Sequence, residues 1–122
     1  MARGDGTLTT QVLDTARGRP AAGLRIDLAV IGPDGRPRRV KTMTTDADGR
    51  TEAPLLAPGE MHPGRYEITF HVGAYFKAVG AAVSDPPFID QIPVRLAITD
   101  PAAHYCVLLL VSPWSYAVYR GS

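Results

Sequence analysis

The chain has 122 residues, a length that suits one domain (1–122) with a real but modest core. A net charge of +1 without basic runs argues against nucleic acid as a partner, and no stretch reaches the roughly 18 consecutive apolar residues of a membrane span. Met1-Ala2-Arg3-Gly4-Asp5-Gly6 lacks an apolar signal core and the lone Cys106 excludes an intrachain disulfide, so a reducing, cytoplasmic setting is expected.

In chain order, residues 7–14 form a first strand. Leu24, Ile26, Leu28 and Val30 then alternate with Arg25, Asp27 and Ala29, the pattern of a half-buried strand. Gly32-Pro33-Asp34-Gly35-Arg36-Pro37 reads as a turn and residues 38–45 as the returning strand. Asp46-Ala47-Asp48-Gly49 is a second turn leading into Arg50. Tyr66, Ile68, Phe70 and Val72 mark one face of the next strand, and residues 74–79 make a helix of about two turns that needs packing to persist. Residues 92–99 and 105–111 are further strands, the latter apolar on both faces and expected to be buried on both. Residues 114–120 close the set. About seven or eight short strands and one small helix imply an all-β fold, most economically a two-sheet β-sandwich. The last strand, rich in Tyr, Trp and Val, suits an edge that pairs with its copy in another subunit.

Three blocks carry a resemblance to a known family. The first is Leu8-Thr9-Thr10-Gln11-Val12-Leu13-Asp14-Thr15 followed by Gly18-Arg19-Pro20-Ala21; the second is Thr45-Asp46-Ala47-Asp48-Gly49-Arg50. The third runs from Phe88 through Pro93-Val94-Arg95 and His104-Tyr105-Cys106-Val107 to Tyr119-Arg120-Gly121-Ser122. Together they resemble the 5-hydroxyisourate hydrolases, the enzymatic relatives of transthyretin, over residues 7–122. The resemblance implies a transthyretin-like sandwich assembled as a tetramer, a dimer of dimers. Its active sites would lie in a channel between dimers, lined by the opening strand and the last two strands. The implied reaction is hydrolytic opening of the lactam of 5-hydroxyisourate, without cofactor or metal.

The departures from the family pattern gather at the implied channel. Histidine is expected where Gln11 and Cys106 stand, proline where Leu108 stands, and the strand before Tyr119 usually reads Ser-Thr where this chain has Ala117-Val118. A positioned imidazole contributes about a hundredfold to ten-thousandfold as general acid or base. Gln11 can hold a water or carbonyl but takes no proton at neutral pH. Cys106 is either a thiolate base or nucleophile, if Arg50 or Arg120 lowers its pKa, or a small buried hydrophobe. His104 shares a face with Cys106 by alternation and is either a displaced imidazole or a strand-end residue. His62 falls in a loop and His71 on an outer sheet face, and these spacings make no zinc site. Asp46 to Gly49 lacks the later ligands of a calcium loop. Arg50 is the retained anion-gripping group, and a guanidinium holds a planar anion through two parallel hydrogen bonds. Arg120 and Ser122, with Tyr119, either orient substrate or lock the tetramer.

Three functions remain open on this reading. The first is a family enzyme whose pocket is remodelled for another small, more apolar cyclic substrate, by ring opening, ring closure or isomerisation through Arg50, Gln11, Cys106 and Ser122. The second is a true 5-hydroxyisourate hydrolase with atypical residues. The third is a non-catalytic small-ligand binder.

Overall fold

The computed structural model describes residues 5–121. Strand β1 (Thr7–Asp14) matches the expected bounds and alternates without a break, with Leu8, Thr10, Val12 and Asp14 turned inward. A two-residue strand, β2 (Arg19–Pro20), pairs back onto its end. Then follow β3 (Arg25–Ile31), β4 (Pro37–Thr44), β5 (Gly64–Phe70), helix α1 (Val72–Ala78), β6 (Ile92–Ile98), β7 (His104–Val111) and β8 (Tyr116–Gly121). One sheet has the order β2-β1-β7-β8 and the other β4-β3-β5-β6. The two sheets enclose a core of alternate residues, among them Val12, Ile26, Leu28, Ile68, Phe70 and Leu109. This is the transthyretin-like sandwich of eight strands and one short helix.

Burying aliphatic side chains at about 25 cal/mol per Å² drives the two layers together. The polar groups caught between them are satisfied. Asp14 is 1% exposed, and its carboxylate accepts hydrogen bonds from the Tyr75 hydroxyl at 2.8 Å and the Arg17 amide at 2.9 Å. Burial, then the bond to the Asp14 carboxylate and its charge, push the Tyr75 hydroxyl above its usual pKa. Tyr75 and Phe76 meet edge to face at 5.0 Å, and Val72, Tyr75 and Phe76 bury the inner side of α1. Packing of this kind holds a seven-residue helix that would not persist alone.

Two expectations are corrected, and one segment left unread proves part of the core. Val72 begins α1 and does not extend β5, because the chain turns at His71 to lay the helix over the core. Strand β7 is not buried on both faces in the single chain. Tyr105, Val107, Leu109 and Val111 are buried, whereas Cys106, Leu108 and Leu110 are half-buried, since no layer covers the outer side of that sheet. Residues 50–63, which show no periodicity, supply Leu55, Leu56 and Met61 to the core, with Leu56 bridged to Leu8.

On the outer face of the second sheet, His71 Nε2 lies 2.8 Å from Asp27 Oδ2, and Thr42 and Arg25 also donate to that carboxylate. Burial would raise the Asp27 pKa, but the bonds from His71, Thr42 and Arg25 and the Arg25 charge outweigh it and hold the group below the usual 3.8.

The four sheet edges are not alike. Strand β2 is too short to recruit a partner strand. Strand β4 begins at Pro37, skips Val40 in a bulge opposite Leu28 and Ala29, and carries Lys41 on the core-facing side, tied to Glu60 at 2.7 Å. Prolines, bulges and inward charges block edge-to-edge pairing. Strand β6 carries Pro93 near its start and β8 turns the charged Arg120 to the inward side opposite Val107, while Tyr116, Val118 and Tyr119 on β8 are exposed.

Two outcomes follow. Tyr75→Phe leaves an Asp14 oxygen unpaired and lowers unfolding free energy in urea by roughly 1.5–3 kcal/mol. Asp27 has a depressed folded-state pKa, so its stabilisation is present above 3.8 and is lost as pH falls through the folded value. Asp27→Asn is therefore less stable than wild type at pH 7, and urea melts at decreasing pH show the gap closing below about 3.8.

Candidate active site

The turn at residues 46–50 is built by Asp46. Its amide donates to the Arg50 carbonyl at 2.7 Å, and its carbonyl accepts from the Gly49 amide at 3.0 Å. Its carboxylate accepts from the amides of Asp48 at 2.9 Å and Arg50 at 3.2 Å. Gly49 sits at φ 74°, in the left-handed region that favours glycine, and its carbonyl accepts from the Val12 amide at 2.8 Å. A Cβ there would press into the Val12 carbonyl. The turn is thus fastened to β1, and Arg50 forms an isolated bridge with Gln11.

The Arg50 side chain is exposed, and its Nη2 donates to Gln11 Oε1 at 3.3 Å. Gln11 Nε2 donates in turn to the Asp48 carbonyl at 3.2 Å. Strand register sets what lies beside this pair. Gln11, Leu108 and Tyr119 form one row across the outer face of β1, β7 and β8. Leu13, Leu110 and Ala117 form the next row on one side, and Thr9, Cys106 and Gly121 the row on the other. Same-face rows are about 6.6 Å apart along a strand and neighbouring strands about 4.8 Å apart. An exposed guanidinium and an amide therefore stand at the rim of a half-buried aliphatic floor. Such a site can hold a flat anion by paired hydrogen bonds while its apolar part rests on leucine.

The structure gathers Gln11, Arg50, Leu108, Ala117, Tyr119 and Cys106 on this one face. Cys106 lies one strand and one row from Gln11, about 8 Å between backbones. His104 shares the face, but at the far end of β7, where its Nδ1 is 3.0 Å from Thr7 Oγ1. Two rows, about 13 Å, separate it from Gln11, so it does not stand in for an imidazole at that position.

Arg120 is not on this face. It pairs with Val107, whose side chain is buried inward, and its guanidinium carbon lies 4.4 Å from the centroid of the Tyr105 ring. There it lines a cavity of about 230 Å³ at the open side of the sandwich, with Val94, Leu96 and Val118. The hydroxyl of Tyr105 is held below its usual pKa by its bond to Thr99, by the amides of Asp100 and Thr99, and by the Arg120 charge. Ser122 lies outside the described residues.

Leu13 and Thr9 are the site residues that sequence reasoning left aside; alternation outward from Gln11 identifies both, as alternation from Cys106 does Leu110. A cleft of about 660 Å³ beside Met43, Thr44, Glu52 and Ala53 is elsewhere and brings together a single ionisable side chain. Among the described residues no three His, Cys, Asp or Glu side chains gather as metal ligands. No helix among them is long and apolar enough to cross a membrane.

Two four-stranded sheets with β1 and β7 paired in parallel, and a short helix after β5, define a transthyretin-like protein. Residues 8–121 match the family described as Transthyretin: HIUase/Transthyretin family, and the chain belongs to that family. It is 51% identical over 115 residues to the 5-hydroxyisourate hydrolase of Deinococcus radiodurans, covering 94% of this chain and 95% of that one. Among solved structures, that of (S)-allantoin synthase matches with a TM-score of 0.90 at 45% identity. That match covers 99% of this chain but 45% of the other, so the present chain spans less than half its length. Transthyretin from Sparus aurata matches with a TM-score of 0.84 at 27% identity, covering 94% of this chain and 96% of that one.

Gly49→Ala tests how the site is held. Forcing a side chain into the left-handed region against the Val12 carbonyl costs roughly 1–3 kcal/mol in urea unfolding.

Proposed function

We propose that this chain is an enzyme of its family that acts on a small cyclic amide or heterocycle at the outer face of β1, β7 and β8, with a pocket remodelled toward apolar contact. The observation that carries this reading is the exposed Arg50 guanidinium beside Gln11, set over the floor of Leu108, Leu110, Leu13 and Ala117. For ring opening, a water oxygen bonds to the ring carbonyl carbon, the carbon–nitrogen bond breaks, and the freed nitrogen takes up the proton. Arg50 holds the oxygen on which negative charge builds, a role worth several powers of ten where water is excluded. Ring closure is the reverse of the same balance. Cys106 lies within the site and has the proton-accepting chemistry that Gln11 lacks. Tyr119 flanks the floor, and Ser122 completes the resemblance-based set.

In this reading residues 1–122 act as one domain in the cytoplasm and assemble as a dimer of dimers. The exposed Tyr116 and Val118 on the edge strand β8 favour contact with a second copy, which would cover them and the Arg120 cavity. Arg120 then serves the subunit contact, with His104 at the rim of the channel.

A second reading, hydrolysis of 5-hydroxyisourate itself, is favoured by the 51% identity to the Deinococcus radiodurans enzyme of that name. The decay of freshly generated 5-hydroxyisourate separates the two, followed with wild type and with Gln11→His/Cys106→His. Under the remodelled-pocket reading the double variant accelerates decay at least about a hundredfold more than wild type. Equal acceleration by both proteins overturns that reading in favour of the second. Under either reading Arg50→Ala lowers kcat/KM about a hundredfold or more.

A further inference from the structure

We infer that Gln11 is a positioning residue that locks the Arg50 guanidinium in place, and not a carrier of protons or a ligand of the attacking water. Both ends of its amide are already engaged. Oε1 accepts from Arg50 Nη2 at 3.3 Å, and Nε2 donates to the Asp48 carbonyl at 3.2 Å. The orientation of the amide is fixed by chemistry. A guanidinium only donates and a carbonyl only accepts, so one amide orientation satisfies both and the flipped one satisfies neither.

The two partners belong to one turn, the turn that Asp46 closes and Gly49 fastens to β1. Gln11 stands opposite Arg50 in an isolated bridge whose hydrogen bond runs from the Val12 amide to the Gly49 carbonyl at 2.8 Å. The main-chain bond of Val12 sets the turn beside Gln11, and the Gln11 side chain then spans from the turn's carbonyl to its guanidinium. An exposed arginine has about 2 kcal/mol of rotamer freedom to lose on gripping a ligand, and a clamp removes part of that loss beforehand. The remaining N–H groups of Arg50 are left for the ligand. The inference rests on the reading of Arg50 as the anion grip of the proposed site, and it assigns Gln11 to binding where an imidazole would serve proton transfer.

The test has a readout without substrate and one with it. In ¹⁵N-labelled protein, the heteronuclear NOE of the Arg50 Nε–H reports side-chain order. Wild type is expected to show a restrained Arg50, Gln11→Met a mobile one, and Gln11→Glu, which keeps an acceptor for Nη2, a restrained one again. An Arg50 as mobile in wild type as in Gln11→Met overturns the clamp. With 5-hydroxyisourate, Gln11→Met raises KM about tenfold while kcat changes by less than about threefold. In an Arg50→Lys background the same substitution adds no further penalty, because the clamped group is gone. An unchanged KM, an undiminished penalty in that background, or a loss confined to kcat overturns the inference. Wild type that fails to accelerate 5-hydroxyisourate decay contradicts that substrate alone, and the NOE comparison then decides the clamp by itself.

Discussion

The parallel pairing of β1 with β7 is the interaction on which the rest of this structure depends. It joins Thr7–Asp14 to His104–Val111 along all eight residues of each strand, so segments about a hundred positions apart become the middle of one sheet. Because side chains alternate, this single register fixes two surfaces at once. Leu8, Thr10 and Val12 meet Tyr105, Val107 and Leu109 in the core. Thr9, Gln11 and Leu13 align with Cys106, Leu108 and Leu110 on the outside. A slip of one residue would exchange the two sets, burying glutamine in the core and exposing leucine. Core stability therefore enforces the geometry of the site.

The second constraint is local. Asp46 and Gly49 fold five residues into a turn that leans on β1, and the turn delivers Arg50 to the row of Gln11. A guanidinium is useful only where its direction is set. Here direction comes from a carboxylate capping backbone amides, a glycine at positive φ, and an amide that bonds both turn and side chain. None of these groups is an imidazole. The arrangement suits holding an anionic ring more than shuttling protons, which distinguishes it from a site built around imidazole.

Much of this was legible in the sequence because period-two alternation is a strong signal in short strands. Residues 66–72 alternate cleanly, and β3, β5 and β6 lie within two residues of expectation. The site was legible through the family resemblance at Gln11, Arg50 and Cys106, and alternation from Cys106 then placed Leu108, Ala117 and Tyr119 beside them. What was not legible has physical causes. Leu55, Leu56 and Met61 reach the core from a segment of irregular backbone, where no period exists to read. Arg120 lies one residue from Tyr119 and so falls on the opposite face, a consequence of strand geometry that its place in a family ending conceals. Apolarity on both sides of β7 reads as burial on both, yet one chain supplies a single covering layer. The half-buried outer leucines and the exposed Tyr116 and Val118 of the edge strand β8 are surfaces of the kind that further subunits cover.

The central claim is that a cyclic ligand binds the outer face of β1, β7 and β8 through Arg50 over a leucine floor. Methyl NMR of the assembled protein, titrated with 5,5-diethylbarbiturate as a stable cyclic ureide with apolar substituents, tests it most directly. Saturable shifts are expected at Leu13, Leu108 and Leu110 and are abolished by Arg50→Ala. Shifts confined to the cleft beside Met43 and Ala53, or shifts at the three leucines that persist without Arg50, would contradict the account.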